Sequence, residues 1–326
     1  MQSSKEILKK ISSFFEKDII QIQDNMIVLE DQSNYKNQQQ TNTSFSEKWD
    51  FIDSRNNHNE YVFESFQKEW FLKLYGFSNE KELAKFLSGK LILDAGCGLG
   101  YKSKWFASIA KNSFVIGMDY SDSVLKAAEN YSEINNLFFV QGDISNTKII
   151  KSKLDIIICD QVIMHTEFPN KTFKHLSSRI KKSGSFLCYV YAKKALPREL
   201  IDDFFRLSTH QYSSKQIWEL SEQLTELGKR LSDLKVTVNS PHIPLLGIKG
   251  GDYDLQRFIY WNFLKCFFNE KLGVQTSIAT NFDWYSPSNA KRYNKEEFEK
   301  LIYNNQLTID FFHSEEACYS GRFIKK

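Results

Sequence analysis

Between residues 91 and 191 the chain alternates short apolar runs with stretches of helical periodicity, and no other feature limits its fold as strongly. The runs are LILDAGCGLG (91–100), FVIGMD (114–119), LFFVQGD (137–143), LDIIICD (154–160) and SFLCYVY (185–191). Between them lie helical patterns, with Trp105, Phe106, Ile109 and Ala110 on one face, then SVLKAAENYS (123–132), then Phe173, Leu176 and Ile180. Strands apolar at nearly every position need cover on both faces. That requirement predicts an α/β chain built on a parallel sheet with helices on each side.

The flanks read differently. Residues 1–30 suggest a short amphipathic element, with Ile7, Leu8, Ile11, Phe14 and Phe15 at helical spacing, and QSNYKNQQQTNTSFS (32–46) reads as a flexible polar linker. From residue 47 aromatic residues return in a helical rhythm, among them Trp49, Phe51, Phe63 and Trp70. After Lys193 the alternation stops. Ile217, Leu220, Leu224, Leu227, Leu231 and Leu234 form one apolar stripe on a helix whose other face carries mixed charge, which suits a lid or packing helix. FDWYSP (282–287) breaks the helical pattern, and a last helix leads to LTIDFF (307–312) and SGRFIK (320–325). Two closing strands that complete the sheet make 193–285 an insertion. The expected division is therefore 1–46, 47–192, 193–285 and 286–326.

A net charge of +3 is too small for a nucleic-acid surface, and no basic stripe with interleaved aromatics is present. The five cysteines are scattered without a C-x-x-C pair, so neither a disulfide framework nor a metal site is expected, and a reducing, cytoplasmic setting is the simpler reading. No apolar run reaches the ~18 residues a spanning helix needs. Oligomeric state is left open.

The chemistry-bearing residues fall at strand ends, where doubly wound sheets bind ligands. The first run closes in Asp94-Ala95-Gly96-Cys97-Gly98-Leu99-Gly100, a turn in which glycines let backbone approach a ligand. A dinucleotide fingerprint reads G-x-G-x-x-G, whereas these glycines stand at 96, 98 and 100. Asp119, followed by Tyr120, ends the second strand. Its carboxylate can take a ribose diol or help to start the next helix, and both roles can hold at once. Gly142-Asp143-Ile144 follows the third strand and also reads as a common turn.

With these blocks in hand, the chain resembles the class I S-adenosylmethionine (SAM)-dependent methyltransferases. D-x-G-x-G-x-G matches their first motif, Gly142-Asp143-Ile144 their adenine-binding block, and 154–169 (LDIIICDQVIMHTEFP) the quinone-biosynthesis and type 11 subset. Met164 stands where that subset often has a first histidine. The resemblance implies a Rossmann-like, seven-stranded, mostly parallel sheet with a helical insertion after strand five. It also implies SAM as co-substrate, held by Asp94, Ala95, Gly96, Cys97, Gly98, Gly100, Asp119, Tyr120, Gly142, Asp143, Ile144, Asp160 and Gln161, with no metal. The acceptor is expected to be a small molecule or glycan precursor methylated on O, N or C.

Methyl transfer from an activated donor needs positioning and exclusion of water, and a base only when the acceptor carries a proton of high pKa. His165, just past strand four, is the candidate base, and its alternative is a loop-shaping hydrogen bond. Tyr191, Asp283 and Tyr285 are candidate acceptor-site residues; His210 and Arg292 are weaker ones. Two other functions compete: a SAM-binding partner without activity, and a nicotinamide-dependent oxidoreductase, which the glycine spacing disfavours.

Overall fold

The computed structural model describes residues 11–16, 20–23, 26–29, 35–53, 62–209 and 211–326. Ile7, Leu8 and His210 lie outside the described residues. Strands β1 (Ile20–Gln23) and β2 (Met26–Leu29) precede helices α1 (Lys36–Asp53), α2 (Lys68–Tyr75) and α3 (Glu80–Leu87). The alternating region gives β3 (Leu91–Ala95), α4 (Tyr101–Ile109), β4 (Phe114–Asp119), α5 (Ser123–Asn130), β5 (Leu137–Gln141), β6 (Leu154–Cys159), α6 (Pro169–Arg179) and β7 (Ile180–Ala192). Then come α7 (Leu196–Thr209), α8 (Ser214–Asp233), the hairpin β8 (Thr237–Ser240) and β9 (Gly251–Asp254), α9 (Leu255–Asn262) and α10 (Gly273–Tyr285). The chain closes with β10 (Arg292–Tyr293), α11 (Lys295–Asn304), β11 (Leu307–Ser314) and β12 (Cys318–Lys325).

The central sheet runs β1-β2-β5-β4-β3-β6-β7-β12-β11, with β10 pairing beside β7. Pairs from β2 through β7 are parallel, while β1–β2, β7–β12 and β12–β11 are antiparallel. The sheet has ten strands rather than seven. The extra ones are β10 and a short hairpin in the N-terminal segment read as an amphipathic element. Met26, Ile27 and Leu29 of that hairpin are buried on the β5 edge. A four-residue apolar run is too short for periodicity to separate strand from helix.

Successive strand residues face opposite layers, and both layers are buried. Leu93, Ile116, Ile157 and Phe186 point to one core with Phe173 and Phe298, whereas Ile92, Val115, Ile156 and Leu187 point to the other with Phe71, Trp105 and Phe106. Strand order reverses on either side of β3, so a crevice opens beyond the carboxyl ends of β3, β4 and β6.

Three sequence expectations change here. The polar segment 32–46 is, from Lys36 onward, the start of α1. Its amides and hydroxyls serve as hydrogen-bonding partners instead of linker: Gln40 donates to Ser286 O (2.9 Å) and accepts from Ser288 N (2.7 Å), while Thr41 accepts from Asn289 N (3.1 Å). FDWY does not break a helix but forms the last turn of α10, which ends just before Pro287. The stripe on α8 is only half used, since Ile217 and Leu224 are buried but Leu227 and Leu234 are exposed. The insertion is tied to α1 by a three-ring stack, with Phe51 on Trp218 (4.2 Å) and Trp218 on Phe282 (3.7 Å). No described helix is long and apolar enough to cross a membrane.

Candidate active site

A cavity sits in the crevice at the strand ends. It is lined from the sheet side by Asp94, Gly96, Cys97, Asp119, Tyr120, Asp143, Ile144, Asp160, Gln161, His165 and Tyr191, and from α10 by Asp283. Ala95, Gly98, Gly100 and Gly142 do not line it. These three glycines make room for packing instead: a Cβ on Gly98 would meet the Trp49 ring at 2.8 Å, on Gly100 the Phe139 ring at 2.9 Å, and on Gly142 Leu29 at 2.7 Å. Tyr285 also stands apart. It is buried, with its hydroxyl 3.4 Å from Asp202 and its ring against Phe205, and it lines neither this cavity nor the next. Arg292 is held by Glu199 (2.6 Å) and Asp203.

The loop amides are occupied within the protein. Gly96 N and Cys97 N donate to Met118 O (2.7 and 3.0 Å), and Gly98 N donates to Asp119 Oδ2 (2.8 Å). These three amides are therefore satisfied within the protein rather than turned to a ligand. The cavity is acidic instead. Lys102 is paired with Asp160, which also accepts from Tyr75 (2.7 Å), and Lys48 is paired with Asp283 (2.6 Å). Among the described residues, no lysine or arginine lies within 4.0 Å of Asp94, Asp119 or Asp143. Desolvation raises the carboxyl of Asp94 to about 6 despite the Ser103 hydroxyl donating to it at 2.6 Å, and it also raises Asp119. Such a site gains from a ligand that brings positive charge and hydroxyl donors, and it repels a pyrophosphate.

Asp119 Oδ1 accepts from Ser121 N (2.9 Å) and Oγ (2.6 Å), while Asp122 caps nothing with its side chain. Asp143 caps the short turn at Ile144–Asn146 through Ser145 N (2.7 Å) while still lining the cavity.

His165 is buried between two partners. Its Nδ1 is 2.7 Å from Asn289 O, which can only accept, so Nδ1 carries the proton and Nε2 has a free lone pair. Nε2 then accepts from the Tyr191 hydroxyl at 3.2 Å. Burial lowers the ring's pKa to about 4, keeping it neutral at physiological pH.

Sequence reasoning missed the polar part of α1, whose Gln38, Thr41 and Asn42 cover the cavity together with Phe45, Lys48 and Trp49. The signal was present as i, i+4, i+7 and i+8 spacing from Thr41, but the polar composition concealed it. Asn42 Nδ2 is buried with no partner among the described residues, a donor left for a ligand. A second cavity adjoins the first and shares Lys48, Trp49, Gln67, Gln161, Tyr191 and Asp283 with it.

A doubly wound sheet carrying an acidic pocket at its switch point suits an enzyme whose ligand is cationic and rich in hydroxyl donors. Residues 87–232 match a family model described as "Methyltransferase domain". The ubiquinone biosynthesis O-methyltransferase of Coxiella burnetii is 28% identical over 197 residues, covering 56% of this chain and 79% of that one. The malonyl-[acyl-carrier protein] O-methyltransferase of Halalkalibacterium halodurans is 28% identical over 141 residues, or 41% of this chain and 48% of that one. A SAM-dependent methyltransferase structure from Mesorhizobium loti aligns with a TM-score of 0.46 at 11% identity, over 76% of this chain and 99% of that one. Residues 87–232 therefore carry a methyltransferase domain, similar to those of class I SAM-dependent methyltransferases.

Gly96 offers a local test. Its φ is +85°, and a Cβ would lie 2.3 Å from Val162 Cγ1. Gly96→Ala must relieve both, at a cost of order 1–3 kcal/mol, so if the turn shifts to do so the Kd for SAM should rise roughly 5- to 150-fold. Calorimetry that finds wild-type affinity in the folded variant would show that the turn tolerates a side chain.

Proposed function

We propose that this protein methylates a hydroxyl or carboxyl oxygen of a small molecule, with SAM in the first cavity and the acceptor in the second. The observation that carries this reading is the shared wall. Two cavities of different character meet at Gln161, Tyr191 and Asp283, beside the His165–Tyr191 hydrogen bond. The two relatives named above are both O-methyltransferases by name.

Bound SAM supplies a methyl group on a positively charged sulfonium. In this reading Asp94 takes the ammonium of the methionine end, Asp119 the ribose hydroxyls and Asp143 the adenine amine. Asp160, already engaged by Tyr75 and Lys102, fixes the loop that carries Gln161. Helix α1 and the insertion 193–285 close over the site and exclude water. A carboxylate acceptor arrives without a proton and needs no base. For a hydroxyl acceptor, Tyr191 would receive the proton as the C–O bond forms and the methyl–sulfur bond breaks to leave the neutral thioether, and would pass its own proton to His165 Nε2. Because the ring's pKa is about 4, the proton is then released to solvent.

Incubation with methyl-labelled SAM and a panel of hydroxylated and carboxylated small molecules tests this. The expected result is label recovered in an ether or ester, with one equivalent of the demethylated thioether formed. Binding of that thioether with label going only to amine or carbon products would overturn the oxygen assignment. Binding with no transfer from any fraction of a metabolite extract would favour a partner protein without activity.

A further inference from the structure

The second cavity differs from the first in charge. Among the described residues, its wall carries Lys48, Lys194, Arg198, Arg257 and Lys265 against one acid, Asp283. Two of these cations are answered, Lys48 by Asp283 at 2.6 Å and Arg198 by Asp202 at 2.8 Å. The other three are answered weakly or not at all among the described residues. Lys194 Nζ reaches only main-chain oxygens, Ala192 O at 2.5 Å and Ala317 O at 3.2 Å. Arg257 donates to Phe268 O at 3.1 Å. Lys265 is 4% exposed, and its nearest carboxylate oxygen is 4.0 Å away on Asp283, beyond hydrogen-bonding reach. One buried lysine with only a distant carboxylate, beside two half-buried cations with no carboxylate partner among the described residues, describes a wall with more positive charge than it answers.

The remaining wall is aromatic, with Phe66, Trp70, Tyr189, Tyr260, Trp261 and Trp284 prominent. Lys265 Nζ lies 4.4 Å from the Trp284 ring centre, and Lys194 Nζ lies 5.7 Å from that of Trp261. Trp284 Nε1 is a buried donor with no partner among the described residues. An apolar flat body and an anionic group would together answer these surfaces.

We propose that the methyl acceptor is an anion, an aromatic or unsaturated body whose carboxylate or phosphate settles against Lys265, Lys194 and Arg257. This rests on the reading that the second cavity holds the acceptor. Donor and acceptor would then meet as opposite charges, the sulfonium over the aspartates and the anion among the lysines. Desolvation also holds Lys194 and Lys265 down to about 7, with Arg198 lowering both further and Glu199, Asp202 and Asp283 offsetting part of the shift. An arriving anion should restore their missing protons.

The test uses the full chain loaded with the demethylated product of SAM. Calorimetry compares 4-hydroxybenzoate, 4-hydroxyphenyl phosphate and the neutral 4-hydroxybenzamide. At least one anion should bind about tenfold or more tightly than the amide, and the comparison between the two anions identifies the group. At pH 7.5, in two buffers of different ionisation enthalpy, its binding should take up protons. Lys265→Met should bring the anion's affinity to that of the amide, and Arg257→Gln, at a half-buried position, should reduce it without a packing change in the core. Both variants should bind the SAM product as wild type does. Equal affinity for all three probes, binding by none, or an anion preference that survives both substitutions overturns the proposal. Loss of SAM-product binding in the wild-type protein would strike at the methyltransferase reading instead.

Discussion

Replacing His165 with alanine should lower turnover about 10²–10⁴-fold while leaving the affinity for the SAM product unchanged. The ring's only free lone pair is on Nε2, and the Tyr191 hydroxyl at 3.2 Å is the group that reaches it. Removing the ring also leaves Asn289 O without its donor, a cost to stability of about 1–3 kcal/mol. His165→Gln, which keeps a side-chain donor and acceptor, separates the two effects. If turnover recovers with stability, His165 only shapes the loop, and near-normal turnover in the alanine variant removes it as the base. The pH profile gives an independent reading. Nε2 is free only above the ring's pKa, so kcat/KM should fall with acid near pH 4 rather than near 6.5.

The same depressed pKa fixes the sign of a stability effect. The folded ring refuses a proton until about pH 4, whereas the unfolded ring takes one near 6.5. Between these values the unfolded chain binds more protons, so stability falls as pH drops through that window, by about 3 kcal/mol at most. Chemical denaturation of wild type and His165→Gln at pH 7 and pH 5 should show a smaller acid loss in the variant.

Asp119→Ala should weaken SAM binding by about 1–3 kcal/mol, or roughly 5- to 150-fold. Two losses add. A ribose would lose a charged acceptor, and Gly98 N and Ser121 would lose the oxygens that hold the turn. Asp119→Asn keeps a neutral acceptor for one of these and should fall between wild type and alanine. Titration with SAM decides the matter. Unchanged affinity in Asp119→Ala would take this carboxylate out of the cofactor site.

The parallel sheet was readable because burial on both faces leaves its strands almost no choice of residue. Leu91–Ala95, Phe114–Asp119 and Leu154–Cys159 carry that mark in their composition. Asp94, Asp119, Asp143 and Asp160 were readable for a related reason, since a strand end in a doubly wound sheet is already a place. The cover was harder to read. Lys36–Asp53 has the composition of a linker, and its amides become structural only when the 286–289 loop arrives from far along the chain to receive them. Tyr285 shows the converse. Its motif suggested a site, but two residues along a helix turn a side chain through about 200°, so Asp283 faces the cavity while Tyr285 faces the core, and the sequence pattern does not fix that rotation.

By itself the sequence determined the layered sheet, its switch point and the acids along it, because each follows from local periodicity and from what a buried strand tolerates. Only the tertiary structure decided that the loop amides are occupied, that His165 is neutral with its lone pair toward Tyr191, and that the second cavity gathers Lys194, Arg257 and Lys265. Those are properties of distance and desolvation between residues far apart in the chain, and no local pattern records them.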